Sequence, residues 1–158
     1  MGCDPRRYRA TFYPGSVIVT EKSEIEVTKP SLTALLVCDM VIDDKATNKK
    51  SLIGTFTHIW TQGFPCVHQK MGVYFCMTDA EGPYDVVLRL VHAGSENVMA
   101  EAGLSVTIPD RLSINDFGIN IPVVQFPTPG RYEFQLYANK QFLGRKEFLV
   151  TSMERPQF

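Results

Sequence analysis

The sequence lacks the features that mark membrane, secreted and nucleic-acid-binding proteins. Its 16 basic residues nearly balance its 17 acidic ones, and the formal net charge of -1 creates no overall field that attracts nucleic acid or an anionic membrane. It has no apolar run long enough to span a bilayer, and no apolar segment follows the first arginines as in a secretory signal. We therefore expect a cytoplasmic protein with no membrane insertion and no nucleic-acid partner.

Enzyme signatures are also missing. The chain has no Gly-x-Ser-x-Gly elbow, no phosphate-binding glycine loop, no dinucleotide fingerprint and no His-Glu-x-x-His motif. Its histidines are His58, His68 and His92, and none of them neighbours an obvious nucleophile. We expect a protein that is not an enzyme and that needs no cofactor.

Few residues are arranged to bind a metal. Cys66 and His68 are the best pair, because side chains two residues apart on a strand face the same way, and Cys76 or His58 could complete a zinc site. However, the chain has no paired-cysteine knuckle. Calcium at the acidic turns is an alternative, but their spacing fits no calcium loop and these residues are ordinary turn formers: Asp43, Asp44, Asp79, Glu81 and Asp85. We predict no metal site.

What the sequence does contain is a series of short apolar runs between turn signals. In residues 129–150 a Pro-Gly turn precedes a strand with Tyr132, Phe134 and Leu136 on one face, and a polar turn leads to a second apolar run. Residues 52–60 are predicted as one strand, followed by a crossover loop to about Lys70. No window shows a convincing helical period. About eight strands at this spacing predict an all-β fold, a two-sheet antiparallel sandwich.

The spacing of Tyr132 and Phe134 makes that prediction more specific. In immunoglobulin-like domains a corner tyrosine lies two residues before the inward cysteine of the penultimate strand. Here Phe134 takes the place of the cysteine. We therefore predict an immunoglobulin-like sandwich, with a generic hairpin that happens to contain a tyrosine as the alternative.

A nearly continuous apolar run from Thr33 to Ile42 predicts a central strand covered on both faces. Cys38 in this run and Cys76 in a later one are predicted as buried free thiols. Asp39 interrupts the run, so we expect a partly buried carboxylate that pairs with loop main chain or with an Arg or Lys side chain.

The chain divides into an N-terminal arm (residues 1–31), a β-sandwich domain (32–150) and a C-terminal tail (151–158). The arm has a basic start and two short β-prone runs, at residues 17–20 and 24–28. We expect it to add an edge strand to its own domain or to a neighbouring subunit. The alternative is a leader with only transient strand structure.

Several stretches within residues 32–150 resemble the pattern of an uncharacterised bacterial family of small, stand-alone β-sandwich proteins. They are Leu36-Val37-Cys38-Asp39, Lys50-Ser51-Leu52-Ile53-Gly54-Thr55-Phe56, Phe64-Pro65 and Pro129-Gly130-Arg131-Tyr132-Glu133-Phe134. The resemblance implies the sandwich fold and carries no activity or catalytic residue that could be transferred.

Outward-facing apolar residues suggest where the domain meets other molecules. Val87 and Val91 lie on the expected outer face of their strand, and with Val17 and Val19 of the arm they are candidate interface residues. We predict a non-catalytic protein-interaction or assembly module whose partner is itself, as a homo-oligomer, or a larger assembly. The alternative is a small-ligand module that binds carbohydrate through Trp60 and Phe64, because aromatic rings stack on sugars.

Overall fold

A computed structural model describes residues 27–153 of the chain. The predictions for Val17 and Val19, and for the β-prone run at residues 17–20, lie outside this range. The described residues form eleven strands: β1 (Ser31–Asp44), β2 (Lys49–Thr55), β3 (His58–Thr61), β4 (Cys66–His68), β5 (Met71–Thr78), β6 (Gly82–His92), β7 (Val98–Ile108), β8 (Asn115–Ile121), β9 (Val124–Phe126), β10 (Gly130–Ala138) and β11 (Gln141–Ser152). Within this range no helix is long and apolar enough to cross a membrane.

The strands build two sheets and a small ribbon. The first sheet has four strands in the order β2-β1-β5-β8, the second has five in the order β3-β11-β10-β6-β7, and β4 pairs with β9. All pairs are antiparallel except β3 with β11. The predicted all-β sandwich is therefore confirmed. Thr151 and Ser152, which the sequence assigned to the tail, are the last residues of β11.

The prediction of about eight strands is too low, and two local features explain the difference. The run 52–60 is two strands, because the chain changes sheets at Phe56, whose ring packs edge-on against Phe148 at 5.7 Å between centroids. The loop predicted up to Lys70 contains β4, which pairs with β9 through the register Val67–Gln125. Both features depend on partners distant in sequence.

The core lies between the two sheets. Inward side chains of β5, β6 and β10 fill it, among them Phe75, Leu88 and Phe134. Burial of each such side chain stabilises the fold by about 1.5–3 kcal/mol. The β10–β11 hairpin turns at Asn139 and Lys140, which both have positive φ, the conformation that matches the twist of a two-residue hairpin loop.

The tyrosine corner is present. Tyr132 is fully buried, and its hydroxyl donates a hydrogen bond of 2.5 Å to the main-chain carbonyl of Thr128. Phe134 points into the core in the place of the usual cysteine. This corner identifies the sandwich as immunoglobulin-like.

The prediction that β1 is covered on both faces is wrong. The strand pairs with β2 and β5, but Leu36 on its outer face is 39% exposed. Beyond Cys38, β1 crosses the outer face of its own sheet, and Val41 packs over Gly118, where any side chain would collide with it. The crossing covers Cys38 and leaves Leu36 uncovered. Cys38 and Cys76 are buried free thiols, as predicted.

Candidate functional site

β7 is an edge strand, and its free edge is the most extended unpaired feature of residues 27–153. It contains eleven residues and pairs only with β6 within this range. The other sheet edges are shorter, with seven residues in β2, four in β3 and seven in β8. A long edge strand offers a row of main-chain donors and acceptors to another strand.

The direction of these main-chain groups follows from the pairing of Asp85. Its carbonyl accepts from the Asn139 main-chain N–H at 2.9 Å, and its N–H donates to the Asn139 side-chain oxygen at 2.9 Å, so both groups point away from β7. The main-chain groups of Asp85 and Ser105 therefore do not bond with each other, and the N–H and C=O of Ser105 point to the free edge. By alternation the same holds for Glu101, Gly103 and Thr107.

This edge lacks the usual protection against pairing. β7 contains no Lys and no Pro, and its single charged side chain, Glu101, is paired with Arg89 of β6 at 2.8 Å. The sheet irregularity opposite Leu90 and Val91 lies near the start of the strand, away from Gly103. By contrast, the β2 edge contains Lys49 and Lys50. Natural proteins block open edges with charges, prolines and bulges, so β7 is the longest edge of residues 27–153 that is left accessible to pairing.

The inward face of β7 is also incompletely covered. Its inward side chains Ala102, Leu104 and Val106 are only half-buried, whereas their partners Leu88, Val86 and Tyr84 are buried. An added strand would cover this apolar surface as well as pair with the main chain.

A groove of about 340 Å³ lies at the end of this edge. Val27 and Tyr84 line it, together with Ser105, Val106 and Thr107 of β7. The hydroxyl of Tyr84 donates to the main-chain carbonyl of Thr28 at 2.8 Å. The described chain therefore begins beside the last residues of β7.

Trp60 lies on β3 and is 58% exposed. The ring stacks on His58 at 3.8 Å between centroids with an interplanar angle of 5°, and His58 hydrogen-bonds with the Thr151 hydroxyl at 2.6 Å. Phe64 instead packs against the core, so it offers less surface than Trp60 to a ligand. The aromatic candidate site is therefore Trp60 and His58 rather than Trp60 and Phe64.

The two outward valines differ. Val87 is half-buried and pairs with Gly103, so it lies beside the free edge of β7. Val91 is only 3% exposed, because the chain itself covers it, and this removes Val91 from the candidate interface.

The metal candidates do not form a site in the described part of the chain. No three His, Cys, Asp or Glu side chains of residues 27–153 gather to hold an ion. His68 lies 3.5 Å from Asp39, whose side chain is 55% exposed, so the predicted partial burial of Asp39 is wrong and its partner is a histidine. In the acidic turn, hydrogen bonds from the Thr47 hydroxyl and the Ala46 N–H lower the pKa of Asp44.

A polar cluster that sequence reasoning missed ties β2 to β8. Lys50 lies 3.2 Å from both Asp43 and Asp116, and the Tyr74 hydroxyl donates to Asp116 at 3.4 Å. Burial acts to lower the pKa of Lys50, but the two carboxylates outweigh it and the pKa is raised. The cluster holds the β1–β2 hairpin against the sheet, with one ammonium group shared between two carboxylates.

Sequence reasoning also missed the β7 edge, although it predicted the strand. The available signal was an alternating run without Lys or Pro around a central Gly103. That signal shows that a strand could serve as an open edge, but only the strand order shows that it lies at one.

The chain was compared with known proteins. Residues 33–151 match a family of unknown function, DUF6941. No curated protein matches the chain. The solved structures that resemble this chain include the following two. An alkylpurine DNA glycosylase from Pseudomonas fluorescens, solved bound to DNA, has a TM-score of 0.48 at 14% identity, with 77% of this chain and 30% of the glycosylase chain covered. An immunoglobulin-like protein from Pseudomonas aeruginosa has a TM-score of 0.37 at 10% identity, with 78% and 98% covered. This chain thus spans less than a third of the length of the glycosylase.

Proposed function

We propose that this chain, which belongs to the family of unknown function DUF6941, is a non-catalytic protein-interaction module. Its β7 edge receives an extended segment of a protein partner. The partner is a second copy of the chain or a larger assembly. The observation that carries the proposal is the outward row of main-chain groups at Glu101, Gly103, Ser105 and Thr107, on a strand that pairs only with β6 in residues 27–153.

Two further features support strand addition. Main-chain pairing supplies affinity in this mode of recognition, and pockets for alternate side chains supply specificity. The half-buried Leu104 and Val106 provide apolar surface for those side chains. Glu101 carries the only charge on the strand and is already neutralised by Arg89.

We place this module in the cytoplasm, without a cofactor. The thiols of Cys38, Cys66 and Cys76 are free in the described part of the chain, as is usual in a reducing compartment.

The test is a proline at an outward-facing position of the edge. The N–H of Gly103 points away from β6, so Gly103→Pro removes no bond of the β6–β7 ladder but removes a donor from the free edge. A matched control is Gly103→Ala, which keeps the N–H and meets only ordinary contact with the Val86 carbonyl at 3.7 Å. Light scattering after size exclusion should show an oligomer for the wild type and the Ala variant and a monomer for the Pro variant. An unchanged mass of the Pro variant would contradict the proposal.

A carbohydrate site at Trp60 is the second candidate, favoured by the stacking on His58. A ring fixed in orientation loses little entropy when it stacks on a sugar. Trp60 is the only tryptophan, so its fluorescence reports binding directly. Titration with a panel of neutral oligosaccharides should quench the tryptophan fluorescence of the wild type. Calorimetry should show that the Trp60→Phe variant still binds the sugar and that the Trp60→Ala variant does not. Absence of any response across the panel would exclude this site.

A further inference from the structure

We propose that the segment received by the β7 edge is residues 17–26 of a second copy of this chain, so that two copies exchange their N-terminal segments. This inference rests on the proposed function and names its partner. The exchange closes a two-fold dimer, in which each copy is both donor and acceptor.

The first observation is where the described chain begins. Val27 lies within van der Waals reach of the position a side chain on Gly82 would occupy, and Gly82 pairs with Ile108, the last residue of β7. Thr28 is held there by the Tyr84 hydroxyl at 2.8 Å. Val27 and Thr28 therefore lie at the end of the sheet that contains the free edge.

The second observation concerns which chain supplies the segment: the same chain or a second copy. Gly82 is inward-facing, as its neighbour Tyr84 is, so Val27 lies on the core side of β6 rather than in the plane of the sheet beside β7. Adjacent strands are about 4.8 Å apart, so the preceding residues would have to pass around Thr107 to reach their own edge. The segment of a second copy approaches that edge from outside.

The third observation is the sequence of the segment. Three of the five residues on one face of an extended chain are apolar (Val17 and Val19, then Glu21 and Ser23, then Ile25), against one of five on the other face (Ile18, Thr20, Lys22, Glu24 and Glu26). This pattern suits a strand with one face against the half-buried Leu104 and Val106 and the other in solvent. At about 3.3 Å per residue, the segment also matches most of the length of β7.

The experiment separates donor from acceptor in the full chain. Val17→Asp with Val19→Asp places two charges on the apolar face of the donor segment, and Ile18→Asp with Thr20→Asp is the control with the same charges on the opposite face. Gly103→Pro disables the acceptor. Masses are measured by light scattering for each variant alone and for an equimolar mixture of the two defective variants.

We expect the wild type and the control to be dimers, and each defective variant to be a monomer. The mixture should form a one-to-one heterodimer, because the intact segment of the Gly103→Pro chain pairs with the intact edge of the other. That heterodimer should dissociate at least about tenfold more readily than the wild type, since only one of two linked contacts remains.

Other results would overturn the inference in distinguishable ways. A mixture that stays monomeric, with Gly103→Pro alone also monomeric, would leave the edge as an interface but assign it another donor. A donor variant more associated than the wild type would mean that each copy covers its own edge. A wild-type oligomeric mass for Gly103→Pro would overturn both this inference and the proposed function, whereas a wild type that is monomeric up to about 1 mM would overturn this inference and leave a larger assembly as the partner of the edge.

Discussion

Asn120 binds both main-chain polar groups of Val41. Its side-chain N–H donates to the Val41 carbonyl at 2.8 Å, and its side-chain oxygen accepts from the Val41 N–H at 2.9 Å. The amide of β8 thus pairs with β1 as a neighbouring strand would, at the point where β1 crosses the outer face of the sheet. Together with the Lys50–Asp116 contact, this bond pair holds the β1–β2 hairpin against β8.

Replacing Asn120 by alanine should destabilise the fold by about 1–2 kcal/mol, because two main-chain groups of a buried residue lose their partners. Urea unfolding measures the loss. The control is Asn115→Ala on the same strand, whose amide bonds locally with Ser113. Equal losses of unfolding free energy for the two variants would show that the two bonds to Val41 contribute no more than the local bonds of Asn115.

Alanine at Gly118 should cost about 1–3 kcal/mol through overpacking. Its Cβ would lie 2.5 Å from Cγ1 of Val41, closer than real contacts allow. Val41→Ala removes that methyl group, so the double variant should be more stable than the sum of the single losses by about 1 kcal/mol. Strict additivity in a double-mutant cycle would mean that the hairpin moves away and does not press on Gly118.

The Tyr132→Phe substitution should destabilise the sandwich by about 1 kcal/mol, since it removes the hydrogen bond that the hydroxyl of this fully buried side chain donates to the Thr128 carbonyl. Tyr137→Phe is the matched control. The Tyr137 hydroxyl bonds with the Gln135 side chain at 2.9 Å on the half-buried outer face, where water can replace it. Thermal unfolding of the two variants checks the difference, and a smaller loss for Tyr132→Phe than for Tyr137→Phe would contradict a structural role of the corner.

Stability should fall at alkaline pH because of Cys38. Burial raises the pKa of its thiol above the ordinary value, and the negative charge of Asp39 acts in the same direction. The folded state therefore holds the proton more tightly than the unfolded chain. The contribution is complete below about pH 8.5 and is lost as pH rises through the raised pKa, with a slope of up to about 1.4 kcal/mol per pH unit.

Urea unfolding in reducing buffer between pH 8 and 10.5 measures this slope. Cys38→Ala should flatten the decline. Val37→Ala, a neighbouring core change without a titratable group, should lower stability at every pH and leave the slope unchanged. If Cys38→Ala and the wild type show parallel declines, another group causes the alkaline loss.

The candidate site shows where sequence reasoning stopped. Trp60 was identified as an exposed ring, but its stacking partner His58 was considered only as a metal ligand. Val87 lies next to the edge that now defines the candidate interface, whereas Val91, with the same apparent position, is buried. Alternation along one strand predicts which face of the sheet a side chain lies on. It does not predict whether another segment of the chain covers that face.

The sequence by itself determined most of the long strands, the final hairpin turn and the tyrosine corner, because these depend on residues a few positions apart. The Asn139-Lys140 turn and the bond from Tyr132 to Thr128 are local in this sense. Only the tertiary structure decided that β7 is an open edge, that β1 crosses over Gly118 and that Asp39 meets His68. Those relationships join segments far apart in the chain, and they are set by which strands pair across the whole sandwich.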